Sequence, residues 1–171
     1  EQVVISSGTE YLFYIIFKLF NNKIYGLENP CHKMFKELFL TNNVSFKAIS
    51  LDEAGIVVEE LKEYNVNIAY VTPSHQFPTG TIMSISRRTE LLNWANENSN
   101  RYIVEDDYDS EFKYTGRPIP ALKASDINDK VIYLGSFSKS ISPAIRVSYL
   151  VLPKTLLNIY QKKLPYFICP V

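Results

Sequence analysis

Lys139 sits in Gly135-Ser136-Phe137-Ser138-Lys139, directly after the apolar run Val131-Ile132-Tyr133-Leu134. A lysine at the exit of a buried strand, among small hydroxyl residues, is badly placed for an ordinary solvated charge. It is well placed for covalent chemistry, because a desolvated amine near other cations becomes a nucleophile able to form a Schiff base with an aldehyde. Arg146, seven residues on, is a second cation. Taken alone, Lys139 also reads as a strand cap or the partner of a surface acid, since long charged side chains are mostly exposed.

Other segments carry matching chemistry. In Ile5-Ser6-Ser7-Gly8-Thr9-Glu10 a strand passes through small residues into a helix. Free amides and the positive end of the helix dipole favour an anion there, and Gly8 lets the backbone approach a phosphate; capping by Ser7 or Thr9 is the plainer reading. Val104-Glu105-Asp106-Asp107-Tyr108-Asp109 gathers acids at the end of a strand that begins near Arg101. A buried carboxylate there would keep a pyridinium nitrogen protonated, as the electron sink of pyridoxal 5'-phosphate requires, with Tyr108 on the same side of an extended chain. A solvated acidic loop is the alternative, and the cluster lacks the glycine and terminal glutamate of a calcium loop. Thr72-Pro73-Ser74-His75-Gln76-Phe77-Pro78-Thr79-Gly80 is a turn-rich segment whose His75 reads either as a general base or as a hydrogen-bonded structural histidine. Ser136, Ser138 and Arg146 are suitable phosphate ligands beside Lys139. A Gly-rich run ending in Gly-Lys-Ser/Thr is absent, which argues against an ATP loop.

The elements that must position these residues show in the apolar pattern. Strand-sized runs recur at residues 3–5, 23–27, 44–49, 66–71, 101–104, 131–134 and 147–152, with stretches of helical period at 10–20, 32–40, 53–63 and 84–96. Alternating strands and helices predict an α/β domain on a largely parallel sheet. In the stretch 84–96, Ile85, Leu91, Leu92 and Ala95 are expected near one face, with Arg87, Arg88 and Glu90 in water. Pro118 and Pro120 mark an irregular loop. Ligands of open α/β sheets gather outside the carboxyl ends of the strands, so the constellations above are expected to meet there.

Composition bounds the rest. With 171 residues, 46% hydrophobic and 21% charged, the chain reads as one soluble globular domain. Eighteen basic and 18 acidic residues cancel, leaving no footprint for gripping nucleic acid. Cys31 and Cys169 lie far apart and only two histidines are present, which predicts neither a zinc site nor a disulfide framework and fits a reduced, cytoplasmic setting. No run approaches the roughly 20 apolar residues of a membrane span. The chain opens at Glu1-Gln2 without an initiator methionine and is expected to be a piece of a longer protein.

In this order, Ser7-Gly8-Thr9-Glu10-Tyr11, Glu28-Asn29-Pro30, the segment from Thr72 to Gly80, the segment from Glu105 to Phe112, and Ser136-Phe137-Ser138-Lys139 resemble the pyridoxal phosphate-dependent enzymes of fold type I, the aspartate aminotransferase superfamily. More narrowly they resemble the aminotransferase-like domain of MocR/GabR-type bacterial transcriptional regulators of the GntR superfamily. The resemblance implies that residues 1–171 are a three-layer α/β/α large domain with a mostly parallel central sheet. It implies that Lys139 carries the cofactor as an internal aldimine, Asp106 pairs with the pyridine nitrogen and Tyr108 bonds the phenolic oxygen. Gly8, Thr9 and Glu10 would shape the backbone cradle of the phosphate, with Ser136, Ser138 and Arg146 as side-chain contacts. Phe77 stands where aminotransferases usually place asparagine. The ring-stacking aromatic expected after Glu28-Asn29-Pro30 is missing or shifted, which leaves His32 as the stacking candidate. The implied function is the sensing of an amino acid or other amine, as an external aldimine, by a homodimeric regulator. DNA would be reached only through an N-terminal winged-helix domain preceding Glu1, and a small domain would follow Val171. The alternative is a catalytically active class I/II aminotransferase with Lys139 as general acid and base.

Overall fold

The computed structural model describes residues 2–109, 120–139, 141 and 144–165. Its elements are β1 (Val3–Ser6), α1 (Thr9–Leu19), β2 (Tyr25–Asn29), α2 (Lys33–Thr41), β3 (Phe46–Asp52), β4 (Gly55–Ile56), α3 (Val58–Glu63), β5 (Ile68–Val71), α4 (Ile85–Asn96), β6 (Tyr102–Asp107), β7 (Val131–Ser136), β8 (Ser148–Val151) and α5 (Lys154–Lys163). One eight-stranded sheet runs in the order β1-β8-β7-β6-β5-β2-β3-β4. Strands β3, β2, β5, β6 and β7 are mutually parallel; β8 is antiparallel to both β7 and β1, and β4 folds back on β3.

The central strands are apolar on both faces because helices cover both. Tyr70, Val104, Ile132, Leu134 and Leu150 point into one core with Leu12, Phe13 and Ile16 of α1, Phe39 of α2 and Leu156 of α5. Their sequence neighbours Ala69, Val71, Ile103 and Val131 point the other way, against Leu61 of α3 and Leu91 and Trp94 of α4. The period-two alternation of a strand thus builds the three layers.

The pattern located every expected strand and helix, with two departures. Residues 53–63 are not one helix: Asp52 Oδ1 accepts from the Ala54 amide at 2.8 Å, Gly55 takes a φ of 124°, and the chain turns into β4 before α3 begins. Helix α5 was not anticipated, although Leu156, Leu157, Tyr160 and Leu164 pack on the core at helical spacing. The loop expected around Pro118 falls on residues 110–119, outside the described residues, as does Cys169.

Helix α4 is rotated from its expected setting. Ile85 is 73% exposed, whereas Arg88 is only 6% exposed and lies on the buried face with Leu91, Trp94 and Ala95. The reason is a demand for donors. Arg88 donates to the carbonyls of Met83 (3.1 Å), Pro120 (3.0 Å) and Pro73 (2.7 Å), which belong to segments at the carboxyl edge of the sheet. A guanidinium fork can satisfy three such carbonyls at once, and no apolar side chain can. Arg88→Met should therefore lower unfolding free energy by roughly 2–4 kcal/mol, read from urea denaturation, because the Met83 and Pro120 carbonyls lose the guanidinium and the Pro73 carbonyl keeps only the Met83 amide.

Candidate functional site

Of the residues that the resemblance assigns to the cofactor site, all except Gly8 line a single cavity of about 390 Å³: Thr9, Glu10, His32, Asp106, Tyr108, Ser136, Ser138, Lys139 and Arg146; the general-base candidate His75 is not on its lining. Gly8 lies immediately behind its wall, since a Cβ built there would stand 2.7 Å from Arg146 Nη2. The cavity opens where β1, β5, β6 and β7 end and α1 begins, as expected for the carboxyl edge of an open α/β sheet.

Glu105, Asp106 and Asp107 are not in a loop but form the last half of β6, and Tyr108 and Asp109 follow the strand end. Strand alternation sorts the acids. Asp106 follows Val104 onto the cavity side, while Glu105 and Asp107 turn to the opposite face. There Glu105 accepts from the amides of Leu122 and Lys123 at 2.6 and 2.8 Å, and Asp107 accepts from Tyr133 Oη at 2.7 Å. Asp106 is 5% exposed and takes a 2.6 Å bond from Tyr70 Oη. Burial pushes its carboxyl up to about 7 against the bond from Tyr70, with the charges of Asp107, Glu28 and Asp109 adding to the rise. Among the described residues no cation pairs with it. A buried carboxylate in that position is short of a positive partner.

Lys139 is less buried than its strand-exit position predicted, with 55% of its side chain exposed. What surrounds it is specific nonetheless. Its Nζ lies 3.3 Å from Asp109 Oδ2 and 4.5 Å from the centroid of the Tyr108 ring. The same Asp109 oxygen contacts His75 Nδ1 at 2.8 Å, the His75 and Tyr108 rings stack, and Tyr108 Oη donates to the His75 carbonyl at 2.7 Å. Burial, with the neighbouring Asp109 and Asp106, pushes the Tyr108 hydroxyl up to about 12, so it remains a donor at neutral pH. The partner that sequence proximity did not reveal for His75 is therefore Asp109, 34 positions away.

At the other wall α1 starts without any side-chain cap, its N-cap being Gly8 at a φ of 97° that a β-carbon would strain. The first-turn amides of Thr9 and Glu10 thus remain for an external anion. Arg146 Nη2 reaches across to Glu10 Oε2 at 3.0 Å, and Ser136 Oγ accepts from the Ser138 amide at 3.2 Å. His32 caps α2 by accepting from the Met34 amide, and its ring centroid lies 5.0 Å from that of Phe77. Both rings line the cavity.

Several functional candidates were missed. Tyr70 is one strand away from Asp106, and only the parallel register that sets Tyr70 beside Val104 brings it there. Glu28 lines the cavity, yet it is 2% exposed and accepts from the Thr72 amide and hydroxyl at 3.2 and 2.7 Å and from Gln76 at 3.3 Å. Burial pushes it to about 7. The motif containing Glu28 was visible in the sequence; its pairing with the Thr72 segment was not. A second cavity, of about 400 Å³, lies at the opposite edge of the sheet between the C-terminus of α1 and the starts of β2 and β3; it contains lysines and asparagines but none of the nominated residues. Among the described residues no three potential metal ligands converge, and no helix is long and apolar enough to cross a membrane.

The cavity suits pyridoxal phosphate on three independent points. The Gly8 cradle holds an arginine fork and uncapped amides for a phosphate, Asp106 lacks the cation that a pyridinium nitrogen supplies, and Lys139 is an accessible amine on the same cavity. Tyr108 adds a donor and an aromatic wall.

A mostly parallel three-layer sheet with a lysine, a buried aspartate and a glycine-led helix terminus at its carboxyl edge defines the large domain of a fold type I aminotransferase. The chain belongs to the aminotransferase class I and II family, whose model matches residues 1–169. It is 46% identical over 159 residues to the uncharacterized HTH-type transcriptional regulator YdeL of Bacillus subtilis (strain 168), covering 92% of this chain and 34% of that protein. It is 30% identical over 164 residues to the probable rhizopine catabolism regulatory protein MocR of Rhizobium meliloti, covering 95% and 33%. Among solved structures, Pyrococcus horikoshii kynurenine aminotransferase, in a crystal structure with PMP, superposes with a TM-score of 0.84 at 31% identity, covering 98% of this chain and 44% of that one. The chain thus spans about a third of the length of these curated relatives.

Proposed function

We propose that this chain is the cofactor-binding large domain of a MocR/GabR-type transcriptional regulator, which holds pyridoxal phosphate at Lys139 and senses an amino acid or other amine. The observation that carries the reading is the buried Asp106, which no cation pairs with among the described residues, on the same cavity as Lys139. When bound, pyridoxal phosphate supplies an aldehyde that condenses with amines and a ring that withdraws electrons from the new bond. The residues do the rest. Asp106, fixed by Tyr70, would hold a proton on the ring nitrogen; Tyr108 would donate to the ring's phenolic oxygen; Ser136, Ser138, Arg146 and the start of α1 would hold the phosphate. Lys139, when not joined to the cofactor, would stand beside Asp109, which also contacts His75, and its free amine would be placed to hold or move a proton.

DNA contact belongs to a segment outside this chain, in keeping with its balanced charge and with the regulators it resembles. We further assign the whole protein a homodimeric, cytoplasmic setting. Edge strand β1 supports a contact with a second copy, as its Val3 and Ile5 are more than half exposed. In the full-length protein, amines drawn from an amino-acid panel should shift the visible spectrum of the bound cofactor, and the amine that does so should change affinity for the protein's own promoter DNA. A spectral response with steady formation of keto acid and unchanged DNA binding would instead favour the second reading, an active class I/II aminotransferase. The close superposition on kynurenine aminotransferase supports that alternative.

A further inference from the structure

Among the described residues Arg146 is the only arginine on the cavity, and the anion it holds is a carboxylate of the same chain. Glu10 is the second residue of α1, so its side chain stands at the positive end of that helix as well as 3.0 Å from Arg146 Nη2. These are the two features a cofactor phosphate needs. The contact is tight against the cradle: a Cβ at Gly8 would meet Arg146 Nη2 at 2.7 Å and Glu10 Oε2 at 3.0 Å. Cradle, guanidinium and carboxylate therefore occupy one small volume, and a phosphate seated on the α1 amides must share Arg146 with Glu10 or displace it. With Glu10 ionised, the local side-chain charge of the pair is zero rather than +1.

Resting on the assignment of this cavity to pyridoxal phosphate, we propose that Glu10 competes with the cofactor's phosphate for Arg146. It thereby loosens cofactor binding and makes the cofactor an exchangeable ligand of this protein. Glutamine at this position would keep the shape and a hydrogen bond to the guanidinium while removing the competing charge. Because both side chains are substantially exposed, solvent screens the repulsion, and its removal is worth roughly five- to twentyfold in affinity rather than the thousands expected in a dry site.

The test uses full-length protein and measures dissociation constants for pyridoxal phosphate and for pyridoxal, which lacks the phosphate, by visible absorbance. Glu10→Gln should bind pyridoxal phosphate about five- to twentyfold more tightly than wild type, with pyridoxal unchanged. In an Arg146→Gln background the same replacement should give less than half of that gain, measured as the logarithm of the affinity ratio. Equal or weaker binding of pyridoxal phosphate by Glu10→Gln overturns the proposal, as does an equal gain for pyridoxal. If wild type takes up pyridoxal phosphate normally, such a result leaves the cofactor assignment standing. If wild type binds neither compound, the assignment and the competition fall together.

Discussion

Full-length protein carrying Lys139→Ala is expected to show no visible absorbance from attached cofactor and to bind pyridoxal phosphate on the order of a hundredfold more weakly. Among the described residues Lys139 is the only lysine on the cavity, so no other described amine there can replace its bond to the aldehyde. The phosphate contacts survive the substitution, which leaves measurable residual binding. A companion variant separates chemistry from charge. Lys139→Arg preserves a cation for Asp109 and for the face of Tyr108 but cannot condense with an aldehyde. It should melt at the wild-type temperature and still lack the visible band.

Asp106→Asn is expected to move stability and cofactor affinity in opposite directions. The carboxyl of Asp106 is held at about 7 against an ordinary value of 3.8. Between pH 4 and 7 the unfolded chain has released this proton while the folded chain retains it, so the folded state binds more protons. Stability falls as pH rises through that window and levels off above it. Glu28 and Glu105, also raised by burial to about 7, add slope of the same sign. Asparagine can accept the Tyr70 hydroxyl without ionising. Cofactor-free Asp106→Asn should thus be more stable than wild type at pH 8, by on the order of a few kcal/mol, with the gap closing below about pH 4. Its affinity for pyridoxal phosphate should fall by about tenfold or more, because the ring nitrogen loses its counter-charge. Melting curves at pH 4 and pH 8 with a cofactor titration check both halves. A variant less stable than wild type at pH 8 would show that the buried charge is not the cost described.

These effects rest on features of unequal visibility in the sequence. The apolar alternation around residues 66–71, 101–104 and 131–134 disclosed the sheet, because strands covered on both faces have little choice of composition. Lys139 and Asp106 were legible because each follows or ends such a strand, and the Gly8 turn because it joins edge strand β1 to α1. Tyr70 was not: its relation to Asp106 depends on the register between β5 and β6, which no local pattern encodes. Arg88 misled for a similar reason. Its helical position suits water by residue type, and only the carbonyls of Pro73, Met83 and Pro120, brought together by the fold, make burial favourable. The solvation of Lys139 was also misjudged, since burial of the strand before it does not extend past Ser136.

The most direct measurement is reductive trapping. Full-length protein incubated with pyridoxal phosphate, treated with borohydride and digested should yield one phosphopyridoxyl-modified peptide, with the mass increment on Lys139 and near-stoichiometric occupancy. Modification spread over surface lysines such as Lys62 and Lys163, or absent from Lys139, would contradict the assignment of this cavity as a pyridoxal phosphate site.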